Sequence, residues 1–439
     1  MSLAVASPKW LNNSLQVLTS ITCFLVFLIF DLLDAVFCVI FRYLDEHIEG
    51  EAFPCCCGRK KEKILRDDED DGVSDSLYKR KSIFREMGFL QFERKRQIFN
   101  RKCGEVSSER AMNLWSDCGC ESCLSWVVNE GDYKLHFVVK EPLTATGENC
   151  REKASENVIF LHGFLCSSSF WTQTVFPHFS EQVNHDYRLI AIDLLGFGKS
   201  PKPRDCLYTL KDHVEMIEKS VVQPLQLTTF HIVAHSMGCI IALALAAKYP
   251  ECVKSITLTA PPYSPSEGNE ACLNALAKLA GKKLWPPLSF GSSFMSWHEH
   301  LGRCVCLVFC RNHRIWEKVL KVITRNRDLH FLTIDLTRHT HQSAWNSMHN
   351  VICGGAKYMD SYLKILSKSG VRINVIQGDN DKVVQMECCN NLKLMAPNAE
   401  INIIPNADHG TVIFTREKEF AHRLELTWGV FQTALYHDF

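Results

Sequence analysis

The sequence Thr229-Phe-His-Ile-Val-Ala-His-Ser236-Met-Gly238 passes abruptly from one secondary-structure pattern to another. Its β-branched and aromatic residues predict a strand that ends at the turn around Ser236. Residues 239–248, Cys-Ile-Ile-Ala-Leu-Ala-Leu-Ala-Ala-Lys, predict a helix that begins at once. A serine at a sharp turn between a strand and a helix can be held in a strained conformation with its hydroxyl exposed. Ser236 is therefore a candidate nucleophile.

The turn is close to Gly-x-Ser-x-Gly, the nucleophile elbow of the α/β-hydrolase fold. Alanine replaces the first glycine here, as Ala234, and adds only a methyl group where the turn is crowded. Other short apolar strands alternate with helical patterns, which is typical of a mostly parallel sheet covered by helices. These strands are Asn157–Leu161, Tyr187–Ile192, Val253–Thr259, Arg372–Ile376 and Glu400–Ile404. We predict an α/β-hydrolase fold, with a mostly parallel sheet, flanking helices and an inserted helical lid.

An acid and a base follow Ser236 in the order Ser, Asp, His that this fold uses. Residues 254–266 contain no carboxylate, which excludes an alternative position for the acid. Asp381, in Gly-Asp-Asn-Asp, is the predicted acid, and Asp379 stays open as the alternative. His409 follows the last strand and is the predicted general base, with the acid fixing its tautomer and stabilising the imidazolium.

The loop Leu161-His162-Gly163-Phe164-Leu165 follows a strand directly. In this fold that loop supplies one backbone N–H of the oxyanion hole, and the residue after the nucleophile supplies the other. The predicted donors are Phe164 and Met237. Gly163 lets the backbone approach a substrate carbonyl, and His162 is expected to brace the loop.

Composition and spacing exclude several function classes. Lys plus Arg (49) balances Asp plus Glu (49), so no net field favours nucleic acid. The loop Asp193–Ser200 opens no helix and lacks a dinucleotide fingerprint, so no cofactor is predicted, and Asp193 is expected to be structural.

No metal site is predicted from the cysteines and histidines. Cys118, Cys120 and Cys123 lack a fourth ligand, and His298 and His300 lie two apart on a helix. His339, His341 and His349 lack a carboxylate shell. The oligomeric state stays open.

The segment Leu15–Phe41 is apolar and long enough to span a bilayer, apart from Asp31 and Asp34. We expect it to be separate from the enzyme, either as an uncleaved membrane anchor or as a signal sequence that ends near residue 45. Cys55, Cys56 and Cys57 follow it and are either S-acylated or unmodified loop cysteines. The orientation in a membrane stays open.

The pattern divides the chain into five segments. Between the two halves of the core, helices are predicted over Ala271–Ala280, Phe294–Cys310, Ile315–Ile323 and Leu329–Thr337, and they form the lid. The segments are an apolar signal or anchor (1–45), a cysteine-containing charged linker (46–123), the first part of the core (124–262), the lid and return (263–370) and the second part of the core (371–439).

Long runs of this sequence resemble the plant BODYGUARD family of α/β-hydrolases. They are Trp115-Ser-Asp-Cys118, His162-Gly-Phe-Leu165, residues 193–203, Leu207-Tyr-Thr-Leu210, Val233-Ala-His-Ser236 and Ala260-Pro-Pro-Tyr263. The resemblance covers nearly the whole chain. It implies a lysophospholipase-type serine esterase acting on lipid esters, extracellular or associated with the cell wall, and needed for cuticle (cutin) formation and epidermal development. An acyltransferase would use the same acyl-enzyme, and a ligand-sensing receptor of this fold is a further alternative.

Overall fold

A single sheet organises the computed structural model, which describes residues 9–50, 55, 72–79, 115–118, 134–143, 156–204, 206–265 and 270–430. Within these residues the sheet has seven strands in the order β1-β3-β2-β4-β5-β6-β7. β1 pairs antiparallel with β3, and all the other pairs are parallel. The strands are β1 (Phe137–Lys140), β2 (Glu156–Leu161), β3 (Tyr187–Ile192), β4 (Phe230–His235), β5 (Val253–Thr259), β6 (Arg372–Gly378) and β7 (Glu400–Ile404). The predicted mostly parallel sheet is confirmed.

Helices connect these strands and cover both faces of the sheet. The helices outside the lid are α1 (Lys9–Glu49), α2 (Asp75–Tyr78), α3 (Ser169–Thr172), α4 (Glu181–Asp186), α5 (Leu210–Ile217), α6 (Met237–Lys248), α13 (Met359–Lys368), α14 (Met386–Met395) and α15 (Glu417–Trp428). One face of the sheet packs an aliphatic core around α6. The other face packs an aromatic core that includes Phe160, Trp171 and Trp428. Fully buried side chains of this size contribute about 1.5–3 kcal/mol each to folding.

The lid helices are α7 (Ala271–Ala280), α8 (Pro287–Trp297), α9 (Glu299–Val308), α10 (His313–Thr324), α11 (Phe331–Asp335) and α12 (His341–Ser347). The prediction of one helix over residues 294–310 is wrong. His298 has an extended backbone (φ −120°, ψ 95°), and it ends α8 and begins α9. Its Nε2 lies 3.2 Å from a carboxylate oxygen of Asp31. That tertiary partner is distant in sequence, so the local pattern could not indicate the break.

Helix α1 packs along the lid helix α9, so the expectation that it is separate from the enzyme is wrong. Asp34 accepts hydrogen bonds from the N–H groups of His300 (2.8 Å) and Leu301 (3.0 Å). A carboxylate at the first turn of a helix satisfies orphan donors and complements the helix dipole. Asp45 binds Arg303 in bidentate fashion, at 2.7 and 2.8 Å. The carboxylates that made this segment unusual for lipid therefore face the lid.

The opposite face of α1 is apolar and exposed. Residues Gln16–Glu49 are long and apolar enough to cross a membrane by length and composition. The exposed side chains include Leu18, Phe24, Leu25, Ile29, Val36 and Ile40. Cys55 is half-buried, with its Sγ 3.8 Å from that of Cys38, whereas Cys56 and Cys57 lie outside the described residues.

Removing Arg303 should destabilise the protein strongly. Its guanidinium and the Asp45 carboxylate are both at least 95% buried, so Arg303→Ala leaves an uncompensated charge. Breaking a buried pair in this way costs about 3–5 kcal/mol of unfolding free energy. The matched control is Arg42→Ala on α1, the helix that carries Asp45, since the Arg42–Glu46 pair is largely exposed and such a pair contributes about 0–1 kcal/mol. Urea unfolding of both variants measures the difference, and equal losses would show that α1 does not depend on the buried pair.

Candidate active site

Ser236 lies at the apex of the turn between β4 and α6, with φ 51° and ψ −120°. Positive φ is costly for a residue with a Cβ and is retained where the surroundings enforce it. The backbone N–H of Ser236 donates to Thr259 O (2.9 Å), which continues the pairing of β4 with β5. A Cβ on Gly238 would lie 2.6 Å from His162 O, so the second glycine of the elbow is a steric requirement.

The structure brings together the three residues that the sequence predicts as nucleophile, base and acid. His409 Nε2 lies 3.0 Å from Ser236 Oγ, and His409 Nδ1 lies 2.8 Å from Asp381 Oδ2. Both distances are within hydrogen-bonding range. Nδ1 can therefore donate to the carboxylate while Nε2 accepts the serine proton, which is the arrangement of a Ser-His-Asp triad.

The two candidate acids have different environments. Asp381 is buried, and its Oδ1 accepts from the N–H groups of Val383 and Val384, each at 2.8 Å. The Gln377 side chain also reaches its Oδ2 at 3.4 Å. Asp379 is exposed and directly follows the carboxyl end of β6. The geometry therefore favours Asp381 and leaves Asp379 without contact to the base.

The loop after β2 places Phe164 beside the elbow. A Cβ on Gly163 would lie 2.8 Å from His235 Nδ1 and 3.2 Å from Ser236 Cβ, so only glycine lets this backbone pass so close to the serine. Met237 is the first residue of α6, and its N–H has no intrahelical acceptor. Phe164 and Met237 therefore lie next to the elbow, where the sequence predicts the two oxyanion donors.

Gly163→Ala should lower kcat by about 10²–10³, because the displaced loop would lose one oxyanion donor. Gly291→Ala is the matched control, since a Cβ at that helical position meets nothing within 4 Å. Steady-state kinetics with a soluble ester, together with a melting curve for each variant, separate the two effects. A Gly163→Ala enzyme with normal kcat would remove this loop from the chemistry.

Two buried groups brace the loops around the elbow. His162 Nδ1 lies 2.7 Å from Gly163 O, and its Nε2 accepts from the N–H of Leu194 (2.9 Å). Burial lowers the pKa of His162, so the neutral ring ties the two loops together. Asp193 accepts from the N–H groups of Ser168 and Lys199. Burial alone would raise the pKa of Asp193, but hydrogen bonds from His136 and these amides hold it well below the usual range.

His235 is a neighbour of the triad that the sequence reasoning did not single out. Its ring stacks on Phe170 (4.9 Å between centroids), and its Nε2 lies 3.2 Å from His409 O. Burial lowers the pKa of His235 to about 3, so the ring is neutral and can donate to that carbonyl. It is a positioning residue for His409. Its position immediately before Ser236 in the sequence is the feature that could have indicated a role near the active site.

The lid directly contacts the loop that follows β2 and carries Phe164, which we call the oxyanion loop. Ser167 donates to Asp335 Oδ2 (2.7 Å), which joins the end of this loop to α11. Burial raises the pKa of Asp335 to about 6, and the hydrogen bond from Ser167 opposes that rise. The lid is thereby attached next to the site where an ester would react.

Comparison with known proteins agrees with this geometry. Residues 156–414 match the family model described as alpha/beta hydrolase fold. The chain is 51% identical to the probable lysophospholipase BODYGUARD 4 of Arabidopsis thaliana, over 92% of this chain and 95% of the relative. The chain belongs to the BODYGUARD family of α/β-hydrolases. It is also 38% identical to BODYGUARD 1 of the same plant (94% and 97% covered) and 25% identical to lipase 1 of Psychrobacter immobilis (58% and 72%).

Membership of the BODYGUARD family supports a hydrolase of the lipase type. The sheet, the elbow and the family model agree on the fold, and the relatives' names agree on the broad activity. In this BODYGUARD-family chain, His409 contacts both the elbow serine, Ser236, and the acid, Asp381.

Proposed function

We propose that this protein is a serine esterase that hydrolyses lipid esters, in the manner of a lysophospholipase, through an acyl-enzyme on Ser236. The observation that carries the proposal is the hydrogen-bonded series from Ser236 Oγ through His409 to Asp381. The relatives' description as probable lysophospholipases supports the substrate class.

The geometry supports a two-step reaction. Ser236 Oγ attacks the ester carbonyl while His409 Nε2 takes its proton, and Asp381 stabilises the imidazolium. The N–H groups of Phe164 and Met237 stabilise the oxyanion. The tetrahedral intermediate then expels the alcohol, which receives its proton from His409. Water repeats the sequence on the acyl-enzyme and releases the fatty acid.

The same protein would work at a lipid surface. The exposed apolar face of α1 fits a membrane, and its acidic face is occupied by lid contacts such as Asp45–Arg303. A helix with two such faces suits the interface between lipid and water. We therefore propose that α1 is retained in the mature protein and holds the lid against the lipid surface. We further propose an extracellular location and a role in cuticle formation, which the family resemblance implies. S-acylation of Cys55, Cys56 or Cys57 would add a second membrane anchor.

Product analysis tests the esterase proposal. The full-length protein in detergent is given a lysophospholipid or a hydroxy-acyl ester, and free fatty acid and transferred acyl chains are measured separately by mass spectrometry. Free fatty acid as the main product, lost in Ser236→Ala, is expected. Excess acyl transfer to the hydroxy-acyl acceptor would make the protein an acyltransferase, and binding without turnover would make it a ligand sensor. Intact mass of the native protein shows whether α1 is retained.

A further inference from the structure

Two cysteines and a histidine of the lid converge on one point. Cys306 lies on α9, and Cys310 follows one turn later, with its N–H donating to Cys306 O (2.8 Å). His339 lies on the segment between α11 and α12, and its Nε2 is 3.7 Å from Cys306 Sγ and 3.5 Å from Cys310 Sγ. All three ligand atoms lie within 4.8 Å of one another, both thiols are buried, and the ring is half-buried.

These separations fit a metal ion. Zinc binds thiolate sulfur at about 2.3 Å and imidazole nitrogen at about 2.0 Å in a tetrahedral arrangement, which places sulfur and nitrogen ligands about 3.5 Å apart. The two measured distances from His339 Nε2 lie close to that value. Soft thiolates together with an imidazole favour Zn²⁺ over Mg²⁺ or Ca²⁺, which prefer oxygen ligands.

A carboxylate adjoins the three ligands. Asp117 accepts a hydrogen bond from the backbone N–H of His341, two residues beyond His339, and it interacts electrostatically with Cys310 and His339. No metal is expected from the sequence because His339, His341 and His349 lack a carboxylate shell. Cys306 and Cys310 lie 33 and 29 residues before His339 and meet it only through the fold.

We propose that Cys306, Cys310 and His339 supply three ligands of a Zn²⁺ ion whose fourth position is taken by water, and that this ion fastens the lid to the oxyanion loop. The backbone of His339 forms a bridge with Phe197. The Phe197 ring packs edge-on against Phe164 (5.7 Å between centroids) and His162 (6.1 Å). An ion at this point therefore joins α9 to the residues that back the predicted oxyanion donor.

Elemental analysis of the full-length protein, purified with reduced thiols, tests the site. One zinc per chain is expected in the wild type, and its loss is expected in His339→Gln and Cys306→Ser. Cys304→Ser is the matched control, because this half-buried thiol lies on the same helix outside the cluster, and it should keep the zinc. Replacement by Co²⁺ should give thiolate-to-cobalt absorption in the wild type and in Cys304→Ser, and none in His339→Gln.

A second cluster of two cysteines and a histidine could also bind zinc, so the experiment must distinguish the two sites. Cys38, Cys55 and His300 also lie within ligand distance of one another, between α1 and α9. Zinc kept by Cys38→Ser but lost from His339→Gln supports the proposal, even if Cys306→Ser does not fold. Zinc lost from Cys38→Ser and kept in His339→Gln would overturn it, and so would a wild type with reduced thiols that takes up neither Zn²⁺ nor Co²⁺.

Discussion

Ser236→Ala should lower kcat for ester hydrolysis by about 10⁶, as removal of the nucleophile does in other serine hydrolases. The residual rate would come from the oxyanion donors and substrate binding alone. The fold should survive, because alanine meets the same positive φ as serine at this turn and removes only the hydroxyl. Single-turnover kinetics with a chromogenic ester measures the loss, and a thermal melt within a few degrees of wild type serves as the control.

Turnover of Ser236→Ala within tenfold of wild type would contradict the acyl-enzyme mechanism. The position of Ser236 makes that outcome informative, since its Oγ is the elbow hydroxyl within hydrogen-bonding distance of His409. Another nucleophile would then have to act elsewhere in the protein.

The second large effect is expected from Asp381→Asn, which should lower kcat by about 10⁴ because an amide favours the wrong tautomer of the base. Asp379→Asn should leave kcat nearly unchanged, because that carboxylate is exposed and makes no contact with His409. The pair of variants is closely matched, since both change a carboxylate to an amide in the same loop.

The comparison of the two kcat values decides between the candidate acids. A large loss in Asp379→Asn with normal activity in Asp381→Asn would reverse the assignment. Equal small losses would mean that neither carboxylate orients the base. Far-UV circular dichroism and urea unfolding should accompany the kinetics, since Asp381 also accepts the N–H groups of Val383 and Val384.

The sheet and the catalytic candidates were predictable because each depends on a local pattern. β3, β5 and β7 begin and end at the predicted residues, since short runs of β-branched and other apolar residues bounded by turns predict strands. Ser236, Asp381 and His409 each follow a strand, and parallel strands bring their carboxyl ends to one edge of the sheet. Spacing along the chain therefore carried information about distance in space.

The contacts of α1 and the lid could not be predicted in the same way. The partner of Asp45 is Arg303, and the partner of Asp31 is His298, both more than 250 residues away along the chain. A helix that is apolar on one face and acidic on the other looks the same in sequence whether its acids face water or a protein partner. His339 and Cys306 likewise meet only through the fold of the lid.

The attachment of α1 changes how the lid is understood. The described lid helices contact the oxyanion loop through Asp335 and Ser167 and contact α1 through Arg303 and Asp45. A lid held at both ends can exclude water from the acyl-enzyme while remaining close to lipid. Weakening either the Asp335–Ser167 contact or the Arg303–Asp45 contact is therefore expected to loosen the lid over the active site.

Covalent labelling distinguishes an activated nucleophile at Ser236 from an ordinary serine. The wild-type protein and Ser236→Ala are treated with a fluorophosphonate, digested, and analysed by mass spectrometry for the modified residue. We predict a single phosphonylated peptide that carries the label on Ser236, no label in Ser236→Ala, and strongly reduced labelling in Asp381→Asn. Absence of label on Ser236 in a folded, lipid-bound wild type, or equal labelling in Ser236→Ala, would show that Ser236 is not the activated nucleophile.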